Sequence, residues 1–125
     1  MYRACTLAVL RSSTDAEDEA AVTSLVRDLD LDMRWPQPGT PRVFLADEDV
    51  TDLLRDHEVD RIVSLISRVP DVRDELVRRQ RALATREPLV MVGRDIGTRV
   101  LTEARTKVFL DASLEVRARR RFGEE

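Results

Sequence analysis

The sequence is poor in the residues that build many kinds of site, with one cysteine, one histidine, one tryptophan and four glycines in 125 residues. A lone Cys5 can form neither an internal disulfide nor a thiolate metal cluster; it fits a reducing compartment and a small core position. The sole histidine, His57, sits beside a predicted helix start and reads as a capping or surface residue, with no second histidine to share a metal or a proton. Apolar runs extend over only a handful of residues, too few to span a bilayer, and Met1-Tyr2-Arg3 begins no signal-peptide hydrophobic stretch. No internal repeat and no low-complexity linker occurs. These scarcities lead us to expect a cytoplasmic protein without a membrane partner.

What is abundant is charge, at 36% of residues, yet 21 basic and 24 acidic groups leave a net charge of only -3. That balance argues against general polyanion binding and confines any basic site to a local cluster. A hydrophobic fraction of 42% in 125 residues suits one domain with a modest core.

Periodicity sets out the elements. Residues 1–10 read as a helix with Leu7 and Leu10 apolar. Thr14-Asp15-Ala16-Glu17 has capping-box spacing ahead of Ala21, Val22, Leu25, Val26 and Leu29, which recur at helical period. Leu31, Met33 and Trp35 alternate as in a strand, Pro36 to Pro41 make a loop, and Arg42 to Ala46 form a second strand of a small antiparallel flap. A short helical piece follows at Thr51 to Arg55. One helix carries the stripe Val59, Ile62, Val63 and Ile66; Pro70 then opens another that runs to about Arg86. Its arginines, Arg73, Arg78, Arg79 and Arg81, read as a solvated face. Pro88 to Val92 and Lys107 to Leu110 look like buried parallel strands, and Ser113 is placed to cap a final helix with Val116 inward and Arg117, Arg119, Arg120 and Arg121 outward. Helices alternating with apolar strands indicate an α/β layered fold.

The most informative segment is a strand entering Gly93-Arg94-Asp95-Ile96-Gly97-Thr98, because ligands of open α/β sheets bind beyond the carboxyl ends of strands. The glycines permit close backbone approach. Arg94 can fork onto a phosphate, while Asp95 can accept from an exocyclic amine or orient the arginine. The plainer alternative is an Arg-Asp pair that holds a loop. Arg3, Ser64 and Arg73 lie on three other helices, each unremarkable by itself, and spacing does not join them.

Seven islands in order resemble the bacterial cytidylate kinases over nearly the whole chain. They are Met1-Tyr2-Arg3-Ala4, Val43 to Thr51, Glu58-Val59 with Ser64, Pro70-Asp71-Val72-Arg73, Arg79-Gln80-Arg81, Gly93 to Thr98, and Phe109-Leu110-Asp111-Ala112-Ser113. The resemblance implies a P-loop nucleoside-monophosphate-kinase-like fold, a three-layer parallel sheet with a small antiparallel CMP-binding insert at about residues 31–55, in one incomplete kinase domain spanning 1–125. It implies transfer of the ATP γ-phosphate to CMP or dCMP in pyrimidine nucleotide metabolism, with ATP and Mg²⁺ as cofactors and a monomeric enzyme. Arg3 and Arg94 match the arginines that hold the acceptor phosphate and serve catalysis. Ser64, Arg73 and Asp95 match the residues that read cytosine. Arg117 to Arg121 match the approach to an ATP-side lid.

The family also has a Gly-rich phosphate loop, and nothing of the form GxxxxGK[ST] occurs in these residues. From this we expect an internal fragment that lacks the loop and a C-terminal segment, is inactive by itself, and is marginal or aggregating because two parallel strands lose a shared neighbour. Val92 stands where the family often has an acid before GRD, and Ala46-Asp47 where it has an acid-glycine pair. Two further readings remain open: a non-catalytic CMP-binding fragment, and an arginine-rich helical module for nucleic acid or a partner, using Arg73 to Arg86 and Arg117 to Arg121. The charge balance opposes the latter, so no stable nucleic-acid partner is expected.

Overall fold

A computed structural model describes residues 1–37, 39–86 and 88–123. It divides into two compact units, Met1–Val90 and Met91–Glu125, each described by itself.

In the first unit, α1 (Tyr2–Arg11) buries Ala4, Cys5, Thr6, Leu7 and Val9, so it is apolar around much of its circumference and is packed on more than one side. Cys5, Val9, Val22, Val26, Ile66, Val69, Val72 and Leu76 form one apolar cluster with helices α2 (Glu19–Asp28), α3 (His57–Arg68) and α4 (Pro70–Ala84). Ala4 and Leu7 join Val43, Val50, Leu54 and Val59 in a second cluster. Helix α1 therefore divides the core between a helical side and a side closed by the sheet.

Helix α2 starts later than the capping-box spacing suggested. Asp15 instead accepts from the Glu17 amide at 3.0 Å in a local turn, and Asp18 becomes the cap by accepting from the Ala21 amide at 3.0 Å. Asp18, which adjoins the apolar stripe, is used in place of Thr14. Asp56 caps α3 through the Glu58 amide at 2.8 Å, which leaves His57 as an exposed first-turn residue. Pro70 occupies the first turn of α4, where a missing N–H costs nothing.

Strands β1 (Leu31–Arg34), β2 (Arg42–Leu45) and β3 (Glu48–Asp49) form an antiparallel sheet in the order β1-β2-β3. Leu31 faces Leu45 and Met33 faces Val43, while Leu45 faces Glu48 across a two-residue turn. Ala46 in that turn has φ of 52°, a left-handed conformation that favours glycine or asparagine. A 3₁₀ turn, Thr51–Arg55, leads into α3.

In the second unit a wide turn covers Ile96–Val100, and α5 spans Leu114–Phe122 with Ser113 as its cap, accepting from the Val116 amide at 3.3 Å. The expected parallel strands are not found: residues 88–92 and 107–110 pair with no strand among the described residues. Most of their side chains are exposed, Val92 by 86% and Phe109 by 91%, with Leu89 and Met91 half-buried. A parallel strand is stable only with neighbours for its backbone and cover on both faces, and the described residues provide neither here. Val116 is likewise exposed, and α5 buries no residue. The sheet that is described is the small antiparallel one.

Candidate functional site

Sequence spacing could not connect Arg3, Ser64 and Arg73; the packing of α1 and α4 on α3 does. On α3, Asp60, Ser64 and Ser67 stand at i, i+4 and i+7, which places them on one stripe about 10 Å long. At its start, Arg3 of α1 forms an ion pair through Nη2 with Asp60 Oδ1 at 2.5 Å and donates from Nη1 to the Leu54 carbonyl at 2.8 Å. At its end, Arg73 of α4 donates from Nη1 to the Ser67 carbonyl at 3.3 Å. Ser64 lies exposed between them. Arg3 and Arg73 thus meet α3 on either side of Ser64 along the chain, one at a side chain and one at a backbone carbonyl, and such donors suit a ligand with an anionic end and an acceptor-rich end.

The segment Gly93 to Thr98 belongs to the second unit. The Asp95 carbonyl accepts from the Arg99 amide at 2.9 Å and the Val100 amide at 3.3 Å, and the Ile96 carbonyl from the Leu101 amide at 2.7 Å. The last two are i+5 bonds and make one wide π-type turn, a form that recurs at functional sites. A Cβ at Gly93 would sit 2.8 Å from Ile96 Cγ1, and one at Gly97 would sit 3.2 Å from the Lys107 side chain. The glycines thus admit neighbouring side chains of the protein itself. Arg94 is exposed and Asp95 half-buried.

A family model described as cytidylate kinase matches residues 1–125. The chain belongs to the cytidylate kinase family. Curated cytidylate kinases similar to it include one from Bacillus licheniformis, 44% identical over 124 residues, and one from Geobacillus thermodenitrificans, 48% identical over 124 residues. Another, from Chloroflexus aggregans, is 48% identical over 127 residues. In each case the match covers 99% of this chain and 55% of the relative, so the chain spans about half the length of the curated relatives it matches.

Several family-like motifs have a structural purpose that the sequence reading missed. In Arg79-Gln80-Arg81, Arg79 is not solvated: its side chain is 16% exposed and lies 2.6 Å from Glu75 Oε1. It also donates to the carbonyls of Leu29 at 2.7 Å, Val26 at 3.0 Å and Arg27 at 3.1 Å. Arg79 thereby closes the C-terminus of α2 with a cation, the sign its dipole favours. The i,i+4 spacing of Glu75 and Arg79 was the available signal. Hydrogen bonds from Arg78 and Arg79 hold the Glu75 carboxyl down at about 2. At the end of β3, Asp49 accepts from Arg42 at 2.6 Å, from the Thr51 amide at 3.0 Å and from the Thr51 hydroxyl at 2.7 Å. Those donors, Arg42 first, lower its carboxyl to about 2. The Thr51 hydroxyl receives the Val43 amide at 2.8 Å, so Glu48-Asp49-Val50-Thr51 locks the flap to the chain that leads into α3.

Cys5 is fully buried, and burial pushes its thiol up to about 11, as befits a core residue. Among the described residues no group of three or more His, Cys, Asp or Glu could hold a metal ion. The sequence contains no GxxxxGK[ST]. No described helix is long and apolar enough to cross a membrane.

Proposed function

We propose that this chain forms the acceptor side of a nucleoside monophosphate kinase that transfers the ATP γ-phosphate to CMP or dCMP. The observation that carries the reading is the alignment of Arg3, Ser64 and Arg73 along one face of α3 in a member of the cytidylate kinase family. Arg3 and Arg94 bind the acceptor phosphate, where two cations neutralise charge and fix the attacking oxygen. Arg73 and Ser64 donate to the O2 and N3 acceptors of cytosine, and Asp95 accepts from its N4 amine. Uracil has no such amine, so the carboxylate selects cytosine. Residues 31–55 form the insert over CMP. Leu89 to Val92 and Lys107 to Leu110 belong to a parallel sheet of the whole enzyme, which works as a cytoplasmic monomer. ATP and Mg²⁺ supply the transferred group and its charge neutralisation from outside these residues, so the chain by itself binds CMP without phosphorylating it. Against a nucleic-acid module, Arg78 and Arg79 are already committed to Glu75.

Calorimetric titration with CMP, with UMP as control, tests the reading. Selective CMP binding that Arg94→Ala and Ser64→Ala each weaken is expected, with no ADP released in a coupled assay. Equal binding of UMP, or none by a folded chain, contradicts it.

A further inference from the structure

The Arg3 guanidinium is not an open cation waiting for an anion. One terminal nitrogen is spent on the Leu54 carbonyl at 2.8 Å and the other meets the Asp60 carboxylate at 2.5 Å. Both side chains stay about two-fifths exposed, Arg3 by 40% and Asp60 by 38%, so a ligand can reach the pair. One guanidinium N–H is committed to the Leu54 carbonyl, which leaves further donors for a phosphate. A phosphate that takes them is brought close to the carboxylate already seated on the same arginine.

We infer that Asp60 is a resident counter-ion of Arg3 that sets the affinity of the acceptor-phosphate site. The inference rests on the proposed role of Arg3 in holding that phosphate. Asp60 has two opposed effects. The ion pair anchors Arg3 on α3, which favours binding by reducing the freedom of a long side chain. Its charge offsets that of Arg3 and repels the incoming dianion, which disfavours binding. Asparagine separates the two, because it leaves a polar oxygen of the same reach beside Nη2 while the charge is gone. With a dianion and a carboxylate on one partly exposed guanidinium, the repulsion outweighs what remains of the anchoring, since Leu54 still holds Nη1. Asp60 thus keeps Arg3 from retaining simple anions, and the cytosine contacts at the other end of α3 are needed to make binding favourable, a specificity obtained by opposition.

The test is calorimetry on the 125-residue chain with CMP and with inorganic phosphate, comparing Asp60→Asn and the smaller neutral Asp60→Ser with the parent. Both variants are expected to bind CMP about three- to tenfold more tightly, with the gain shrinking as salt rises. Inorganic phosphate should gain at least as much, which narrows the preference for CMP over phosphate. Loss of structure cannot produce tighter binding, so a merely structural role for Asp60 would not give this result. Unchanged or weaker CMP binding in Asp60→Asn overturns the inference and makes Asp60 an anchor of Arg3, with the acceptor site intact. Absence of CMP binding in parent and variants alike removes the acceptor-site reading itself, and the counter-ion with it.

Discussion

Arg79 offers the sharpest test of how the first unit is held together. Arg79→Ala deletes charge-assisted hydrogen bonds to three carbonyls at the end of α2 and the 2.6 Å ion pair with Glu75. Bonds to a charged group contribute about 1.5–3 kcal/mol each when isolated, but these four share one guanidinium and do not add. The Glu75 side chain, only 10% exposed, keeps Arg78 as a partner, so its charge is not orphaned. The carbonyls of α2 are left at a partly buried helix end. We therefore expect a loss of about 3–4 kcal/mol, near the cost of breaking a buried pair. That is a large fraction of the roughly 5–13 kcal/mol available to a unit of this size. Arg79→Lys keeps the charge but not the planar fork, and should lose about half as much. Arg78→Ala, at a side chain 67% exposed, should cost at most about 0.5 kcal/mol. Urea unfolding followed by far-ultraviolet circular dichroism measures all three. If Arg79→Ala costs no more than Arg78→Ala, the arginine is not the clamp on α2.

Three further outcomes follow from the same structure. Ala46→Gly relieves a left-handed φ of 52° and should stabilise the chain by about 0.5–1 kcal/mol in the same urea assay. Glu75 and Asp49, each held at about 2 in the folded chain, bind fewer protons than when unfolded, near 4.3 and 3.9; their stabilisation is complete above about pH 5 and should fall away from about pH 4.5 toward 2. An acid titration of the urea midpoint that stays flat over that range would contradict the assignment. Among the described residues of the second unit only Val100 is buried, so brief trypsin treatment should cut at Arg94, Arg99, Arg105 or Arg117 to Arg121 well before any site in the first unit. Equal protection of both would show a core in the second unit.

Local signals were legible wherever the chain satisfies its own rules. The stripe Val59 and Ile66, Pro70 at a first turn, the Ser113 cap and the alternation Leu31, Met33 all depend on neighbours a few residues away, and all were read from sequence. The start of α2 was misplaced because the capping-box spacing pointed to Thr14, whereas Asp18, next to the apolar stripe, is the cap. The runs Pro88 to Val92 and Lys107 to Leu110 have the composition of buried parallel strands, but a strand needs partners that no run of residues announces. In the site, residue identities came from the resemblance, whereas the placing of Arg3 on α3 came from the packing of α1 on α3 over more than fifty residues of sequence, and that of Arg73 from the turn between α3 and α4. Asp60 drew no notice beforehand because a first-turn acid on a helix is ordinary; only its arginine partner from α1 gives it meaning.

The most direct measurement is residue-resolved: CMP titrated into the isotope-labelled chain, with amide and arginine side-chain resonances followed by NMR. Saturable shifts gathered at Arg3, Asp60, Ser64 and Arg73, with Arg94 and Asp95 moving on the same binding curve and UMP much weaker, are what an acceptor site along α3 predicts. Shifts confined to the arginines of α5, or none along α3, would contradict it.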